Sequence, residues 1–272
     1  MQKQILVHQK KIVYRVIGNG QPVVLIHGFG EDSKIWDHQI EFLSNHCQLI
    51  VPDLPGSGKS DLIVQEDLLK SVDEPVSISD YAEIIYLILG QEKISKCMML
   101  GHSMGGYITL AFEEKYPDNL LKFGLVHSSA IADSAEKKQN RLKGIELMDT
   151  YGAAPFLKNT IPNLFSANFK KNHVELVSAL IDAAQLFSTV ACQQYYRAMM
   201  NRPDRTSVLK GNLKPILFVV GTDDVAAPLN DLLPQIQLPA HPTVHILDGV
   251  GHMGMWEATD QVNRFLFDFI EQ

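Results

Sequence analysis

Short apolar runs recur along this chain, and most are followed by stretches with helical spacing. Residues 2–17 alternate apolar and polar positions well enough for a two-strand hairpin that turns near Gln9 and Lys10. Residues 23–26, 48–51, 96–100, 123–127, 215–220 and 244–247 each read as a short buried strand. Helices are expected over 33–45, capped by Ser33, and over 79–89, 105–112 and 256–270, with a loop rich in acids and prolines running to about Glu74. Apolar strands alternating with helices predict a mostly parallel sheet covered on both faces. Ligands of such sheets bind beyond the carboxyl ends of the strands.

The alternation stops between about residues 130 and 213. That stretch carries helical patterns over 137–150, 174–187 and 189–200, without a repeat or a low-complexity linker. It predicts a helical cap, 130–213, inserted into a core made of 1–129 and 214–272.

Composition narrows the class. An apolar fraction of 46% and a charged fraction of 20% in 272 residues are those of an ordinary globular chain with a full-sized core. A net charge of -7 offers no basic stripe for nucleic acid and no polybasic patch for a membrane. The first residues form no secretory segment, and no run approaches a membrane span. Cys47, Cys97 and Cys192 are far apart and lack metal-ligand spacing. Reduced, buried thiols in a cytoplasmic protein are the expectation.

The chemistry centres on Gly101-His102-Ser103-Met104-Gly105-Gly106, at a strand-to-helix junction. A sharp turn there strains Ser103 and exposes its hydroxyl, while side chains at 101 and 105 would collide. Gly106 lets the helix approach the sheet. A serine needs a base, and the base needs an orienting carboxylate. His252, in a glycine loop after the last strand, is best placed, with His127 as the main spare. His102 should point elsewhere, and His27 should brace the loop under Phe29. His241 and His245 have metal-like spacing, but Pro242 and the strand pattern argue against a helical zinc pair. The carboxylate comes from Asp223 or Asp224 after strand 215–220, with Asp224 preferred. A tetrahedral intermediate also needs backbone N–H donors, expected from Met104 and Phe29.

Two segments imitate nucleotide sites. Pro55-Gly56-Ser57-Gly58-Lys59-Ser60 ends like a phosphate-binding loop, but Asp53 stands where its leading glycine belongs. Gly28-Phe29-Gly30 lacks the third glycine of a dinucleotide fingerprint. No cofactor or metal is expected.

These segments, in the order nucleophile, acid, histidine, resemble the α/β-hydrolase superfamily over nearly the whole chain. The chain is most similar to the esterase and enol-lactonase branch with a small helical cap. In that pattern the acid lies three residues after Gly221 and four before Pro228, which implies Asp224. Arg202-Pro203-Asp204 is similar to the segment returning from cap to core. Serine at 103 departs from dehalogenase-like and epoxide-hydrolase-like members, which use aspartate. Pyruvate-eliminating members carry arginine where this chain has Tyr107, so the likeness implies no anionic substrate held at that position. Carbon–carbon-bond hydrolases carry Asn where this chain has His102. The resemblance implies hydrolysis of a small, largely apolar ester or lactone through an acyl-enzyme. A lyase or acyltransferase acting on a thioester, or a slow-turnover sensor, are the rival readings of the same triad. Phe156, Phe165, Phe187, Tyr195, Tyr196 and Met199 are expected mostly in the cap's own core, with some facing the pocket.

Overall fold

The computed structural model describes residues 1–71 and 73–272. Its strands are β1 (Gln2–Val7), β2 (Lys10–Ile17), β3 (Pro22–Ile26), β4 (Gln48–Pro52), β5 (Cys97–His102), β6 (Leu120–Val126), β7 (Pro215–Gly221) and β8 (His241–Leu247). They form one eight-stranded sheet in the order β1-β2-β4-β3-β5-β6-β7-β8. β2 pairs antiparallel with β1 and β4, and every other pairing is parallel. Because β4, β3, β5, β6, β7 and β8 pair in parallel, their carboxyl ends share one rim.

Twelve α-helices lie among the described residues. In the first half lie α1 (Asp37–Leu43), α2 (Ile78–Gln91), α3 (Met104–Lys115), α4 (Ala135–Tyr151), α5 (Ala153–Thr160) and α6 (Ala167–Asn172). They are followed by α7 (Val174–Ala184), α8 (Thr189–Met200), α9 (Thr206–Leu209), α10 (Leu229–Ile236), α11 (Gly254–Glu257) and α12 (Thr259–Glu271). Alternation along the strands divides the core in two. Val24, Ile26, Met99, Phe123 and Phe218 pack against α2 and α3, whereas Val23, Leu25, Leu100, Leu217 and Val219 pack against α1 and α12. Both faces of the central strands are therefore apolar, as a sheet covered on both sides requires.

Local chemistry explains most boundaries. The hairpin turns at His8 and Gln9, both at positive φ. Helix α2 starts a residue before Ser79, because Ser77 N–H and hydroxyl both bond the Asp80 carboxylate. The expected helix at 33–45 is a 3-10 turn, Ser33–Trp36, followed by α1, and Asp32 rather than Ser33 caps it. Helix α10 was not foreseen, since Pro234 inside it hides the pattern. Likewise, α5 and α6 are too short for periodicity to reveal. Between β6 and α9, the described residues hold the helices α4 to α8 and no strand. No single helix among the described residues is long and apolar enough to cross a membrane.

Candidate active site

Ser103 is the one residue between β5 and α3, with φ 51° and ψ −115°. A non-glycine residue there costs on the order of 1–3 kcal/mol of strain, held by the strand and helix on either side. The neighbouring glycines are steric necessities. A Cβ on Gly105 would lie 2.3 Å from the Ile26 carbonyl oxygen, and one on Gly101 would lie 2.2 Å from the Gly105 carbonyl. A Cβ on Gly106 would strike Ser128, in the loop after β6. Ser128 Oγ donates to the Ser103 carbonyl at 2.6 Å, tying that loop to the turn.

The acid and imidazole meet beyond β7 and β8. Asp224 is buried and Asp223 exposed, which selects between the two aspartates. His252 Nδ1 lies 2.8 Å from Asp224 Oδ2 and 3.0 Å from Oδ1. The Ala226 and Ala227 N–H groups also donate to Oδ1, at 2.9 and 2.8 Å. Burial alone would push the Asp224 carboxyl up, but the two facing imidazoles and their hydrogen bonds hold it far below the usual carboxylate range. The His252 loop is fixed by Glu257, which accepts the Gly251 and Met253 N–H groups, and by His252 N–H donating to Leu164 O. Its carbonyl lies 3.0 Å from His102 Nε2, and the two rings are 4.9 Å apart. The loop therefore sits over the residue next to Ser103. No hydrogen bond joins Ser103 Oγ to His252 among the described residues; such bonds often tighten only with substrate bound.

His127, the spare candidate, shares the acid with His252. It lies just past β6 at φ 49°, fully buried, with Nδ1 3.1 Å from Asp224 Oδ2. Two imidazoles thus share one carboxylate. Burial lowers the His127 pKa despite the hydrogen bond and charge of Asp224, and its Nδ1 faces a carboxylate oxygen that can only accept. One donor atom from each of His127, Asp224 and His252 falls within 4.8 Å of the others, a grouping a metal could use. The Asp224 oxygens, however, are already saturated by two backbone N–H groups and two ring nitrogens at hydrogen-bond distances. This donor set forms a hydrogen-bonded network centred on Asp224.

His27, His102 and His245 have structural partners. His27 Nε2 accepts from Leu54 N–H at 3.0 Å and contacts Ser57 Oγ at 2.8 Å, bracing its loop as expected. His102 Nδ1 faces Glu31 Oε2 at 3.0 Å, and that oxygen also accepts the Gly28 N–H at 2.7 Å. Glu31, one residue past the loop glycines, carries no motif of its own and was missed. His245 stacks on Phe265. The phosphate-loop look-alike instead wraps a buried carboxylate, since Asp53 accepts the Ser33 and Lys59 N–H groups.

The expected oxyanion donors are available. Among the described residues the Phe29 N–H has no acceptor, and Met104 N–H is the first of α3, where intrahelical acceptors are lacking. A largely apolar cavity of about 230 Å³ adjoins the site through Phe29 and Met253. Ile161, Leu164, Leu180 and Phe187 wall it from the helical segment, and Ser103 is not among its lining residues. Tyr195, Phe165 and Met199 are buried packing residues.

Sheet order, strained serine and buried acid–imidazole pair define a chain of the α/β-hydrolase class. The family model described as the alpha/beta hydrolase family matches residues 23–265, and the chain belongs to that family. It is 25% identical over 273 residues to a 2-hydroxy-6-oxo-6-phenylhexa-2,4-dienoate hydrolase of Comamonas testosteroni, covering 96% of this chain and 91% of that protein. A thermophilic esterase from Thermogutta terrifontis, solved with malate bound, has a similar structure, with TM-score 0.90, 25% identity, and coverage of 100% of this chain and 98% of that one. An enol-lactonase from Burkholderia xenovorans LB400 shares the fold at TM-score 0.89 and 22% identity, over 99% and 100% of the two chains. The protein is accordingly an enzyme of the hydrolase class.

Proposed function

We propose that the protein hydrolyses a carboxylic ester or lactone of a small substrate through an acyl-enzyme on Ser103. The observation carrying this reading is the strained serine at the end of β5 beneath a loop whose imidazole, His252, is held by buried Asp224. Ser103 Oγ attacks the carbonyl carbon as His252 Nε2 takes the hydroxyl proton. Asp224 fixes the Nδ1–H tautomer and stabilises the imidazolium. The carbonyl oxygen becomes an oxyanion facing the Phe29 and Met104 N–H groups, each such donor contributing roughly 3 kcal/mol. His252 then protonates the leaving alkoxide, and later accepts a proton from the water that releases the acid. The chain supplies nucleophile, base and oxyanion donors itself, so no step requires a metal or organic cofactor.

The helical stretch 130–213 acts in this reading as a cap over the sheet rim, and the apolar cavity beside Phe29 and Met253 supports a substrate with an uncharged body. Nucleic acid and membranes are not partners in this scheme. The buried thiols Cys47, Cys97 and Cys192 suit a reducing, cytoplasmic setting. A fluorophosphonate probe should modify Ser103, and steady-state hydrolysis of short esters should vanish in Ser103→Ala. Absence of an adduct on the folded wild-type protein would refute the nucleophile assignment. Product analysis across ester, lactone, thioester and vinylogous diketone substrates separates ester hydrolysis from acyl transfer and from carbon–carbon cleavage. Stalling after one covalent turnover would favour a sensor.

A further inference from the structure

The Glu31 carboxylate is only half used. Its Oε2 accepts Gly28 N–H at 2.7 Å and faces His102 Nδ1 at 3.0 Å, and the side chain is 7% exposed. Oε1 has no hydrogen-bond partner among the described residues, yet it is not sealed in as a buried, unpaired atom. Glu31 also lines the cavity of about 230 Å³, together with Phe29 and with Met253, the neighbour of His252. The free oxygen therefore opens into that cavity.

Gly28 fixes how near this carboxylate lies to the reacting centre. A Cβ on Gly28 would be 3.1 Å from each of Glu31 Oε2, His102 Nδ1 and Ser103 Cβ. Glu31 Oε2 and the Cβ of the nucleophile are thus at most twice that distance apart, and the glycine puts no side chain between them. A hydroxyl a few bonds from the reactive carbonyl spans such a gap. The rest of the cavity wall is mostly apolar and includes Ile161, Leu164, Phe187 and Trp256. A carboxylate set in such a wall can only accept, so it singles out a ligand group that donates. Its charge already faces His102, Asp37 pairs with Arg15, and Asp32 and Lys34 on the same wall offset each other. The wall therefore offers an acceptor without an excess of charge, which suits a hydroxyl rather than an ammonium. A buried acceptor of this kind discriminates a hydroxyl from a methyl of the same size.

We propose that Glu31 Oε1 accepts a hydrogen bond from a hydroxyl of the substrate, so that the enzyme prefers esters or lactones bearing a hydroxyl near the reactive carbonyl. This rests on the Ser103 reading above. Hydroxyls on the acyl side and on the alcohol side offer the same donor, and the two arms of the test separate them.

One arm compares kcat/KM for 2-hydroxyethyl butyrate with that for propyl butyrate, and the other compares each enantiomer of ethyl 3-hydroxybutyrate with ethyl 3-methylbutyrate. Each pair exchanges a hydroxyl for a methyl. Wild-type protein should favour the hydroxyl ester of one pair by between about 10- and 100-fold, and parity in both pairs would overturn the proposal. In Glu31→Gln the preference should fall by about 10-fold, because Gly28 N–H claims the amide oxygen and leaves the NH2 at the free position. His102→Gln retains the carboxylate and should keep the preference even where the overall rate drops. Equal loss of preference in the two variants would mean that the pair only shapes the loop, and would also overturn the proposal. Saturation-transfer NMR of the same esters with Ser103→Ala gives a readout independent of turnover. A hydroxyl preference in binding that Ser103→Ala/Glu31→Gln loses supports the site even if no ester is cleaved, a result that would sink only the esterase reading. If Glu31→Gln fails to fold, the wild-type ratios decide alone: the stated preference supports the site and parity refutes it.

Discussion

Glu31→Gln offers a sharp probe of the electrostatics beneath the proposed oxyanion loop. The Glu31 carboxylate accepts Gly28 N–H and faces His102, and the two side chains are 7% and 0% exposed. Burial alone would push Glu31 up, yet the charge and hydrogen bond of His102 hold it below its ordinary value of 4.5. Burial alone would pull His102 down, yet Glu31 holds it above its ordinary value of 6.5. The Glu31 contribution is therefore complete above pH 4.5 and lost as pH falls through its lowered value. The His102 contribution is complete below pH 6.5 and lost as pH rises through its raised value. Both are present together between these limits.

Removing one partner of a buried pair costs about 3–5 kcal/mol, so Glu31→Gln should lower Tm by roughly 6–20 °C near pH 5.5. At higher pH, once His102 is neutral, only a hydrogen bond to a charged acceptor is lost, about 1.5–3 kcal/mol. Thermal melts of both proteins from pH 5 to 9 read this directly. A double-mutant cycle with His102→Gln should give a coupling that shrinks over the same range. A Tm difference that is flat with pH, or a coupling below about 0.5 kcal/mol at pH 5.5, would refute the pairing.

Asp224→Asn should lower kcat by about 10⁴-fold on any hydrolysed ester, whereas exposed Asp223→Asn should not; equal effects would contradict the acid assignment. Gly105→Ala forces a Cβ to within 2.3 Å of a backbone carbonyl, so denaturant melts should show a loss of about 1–3 kcal/mol, with weak probe labelling of Ser103. His127→Leu deprives Asp224 of a donor and should cost about 1.5–3 kcal/mol along with kcat, while His127→Asn, which keeps a donor, should recover part of both. Melting and kinetics that do not distinguish the Leu and Asn variants would make His127 a packing residue.

The elbow was legible because its causes are local. A buried strand, a serine between glycines and a helix occupy consecutive residues, and their spacing alone demands the collisions that Gly101 and Gly105 avoid. The sheet was legible for the same reason, since doubly buried strands write continuous apolar runs. Asp223 and Asp224 are chemically identical neighbours, however, and only the packing of the β7 and β8 loops buries one and leaves the other in solvent. Glu31 beside His102, His127 against Asp224, and Asp133 between two arginines join residues 71, 97, 8 and 69 positions apart. No periodicity encodes such meetings. They arise because strand order brings distant loop ends to one rim, where burial removes water and makes each charge depend on its partner.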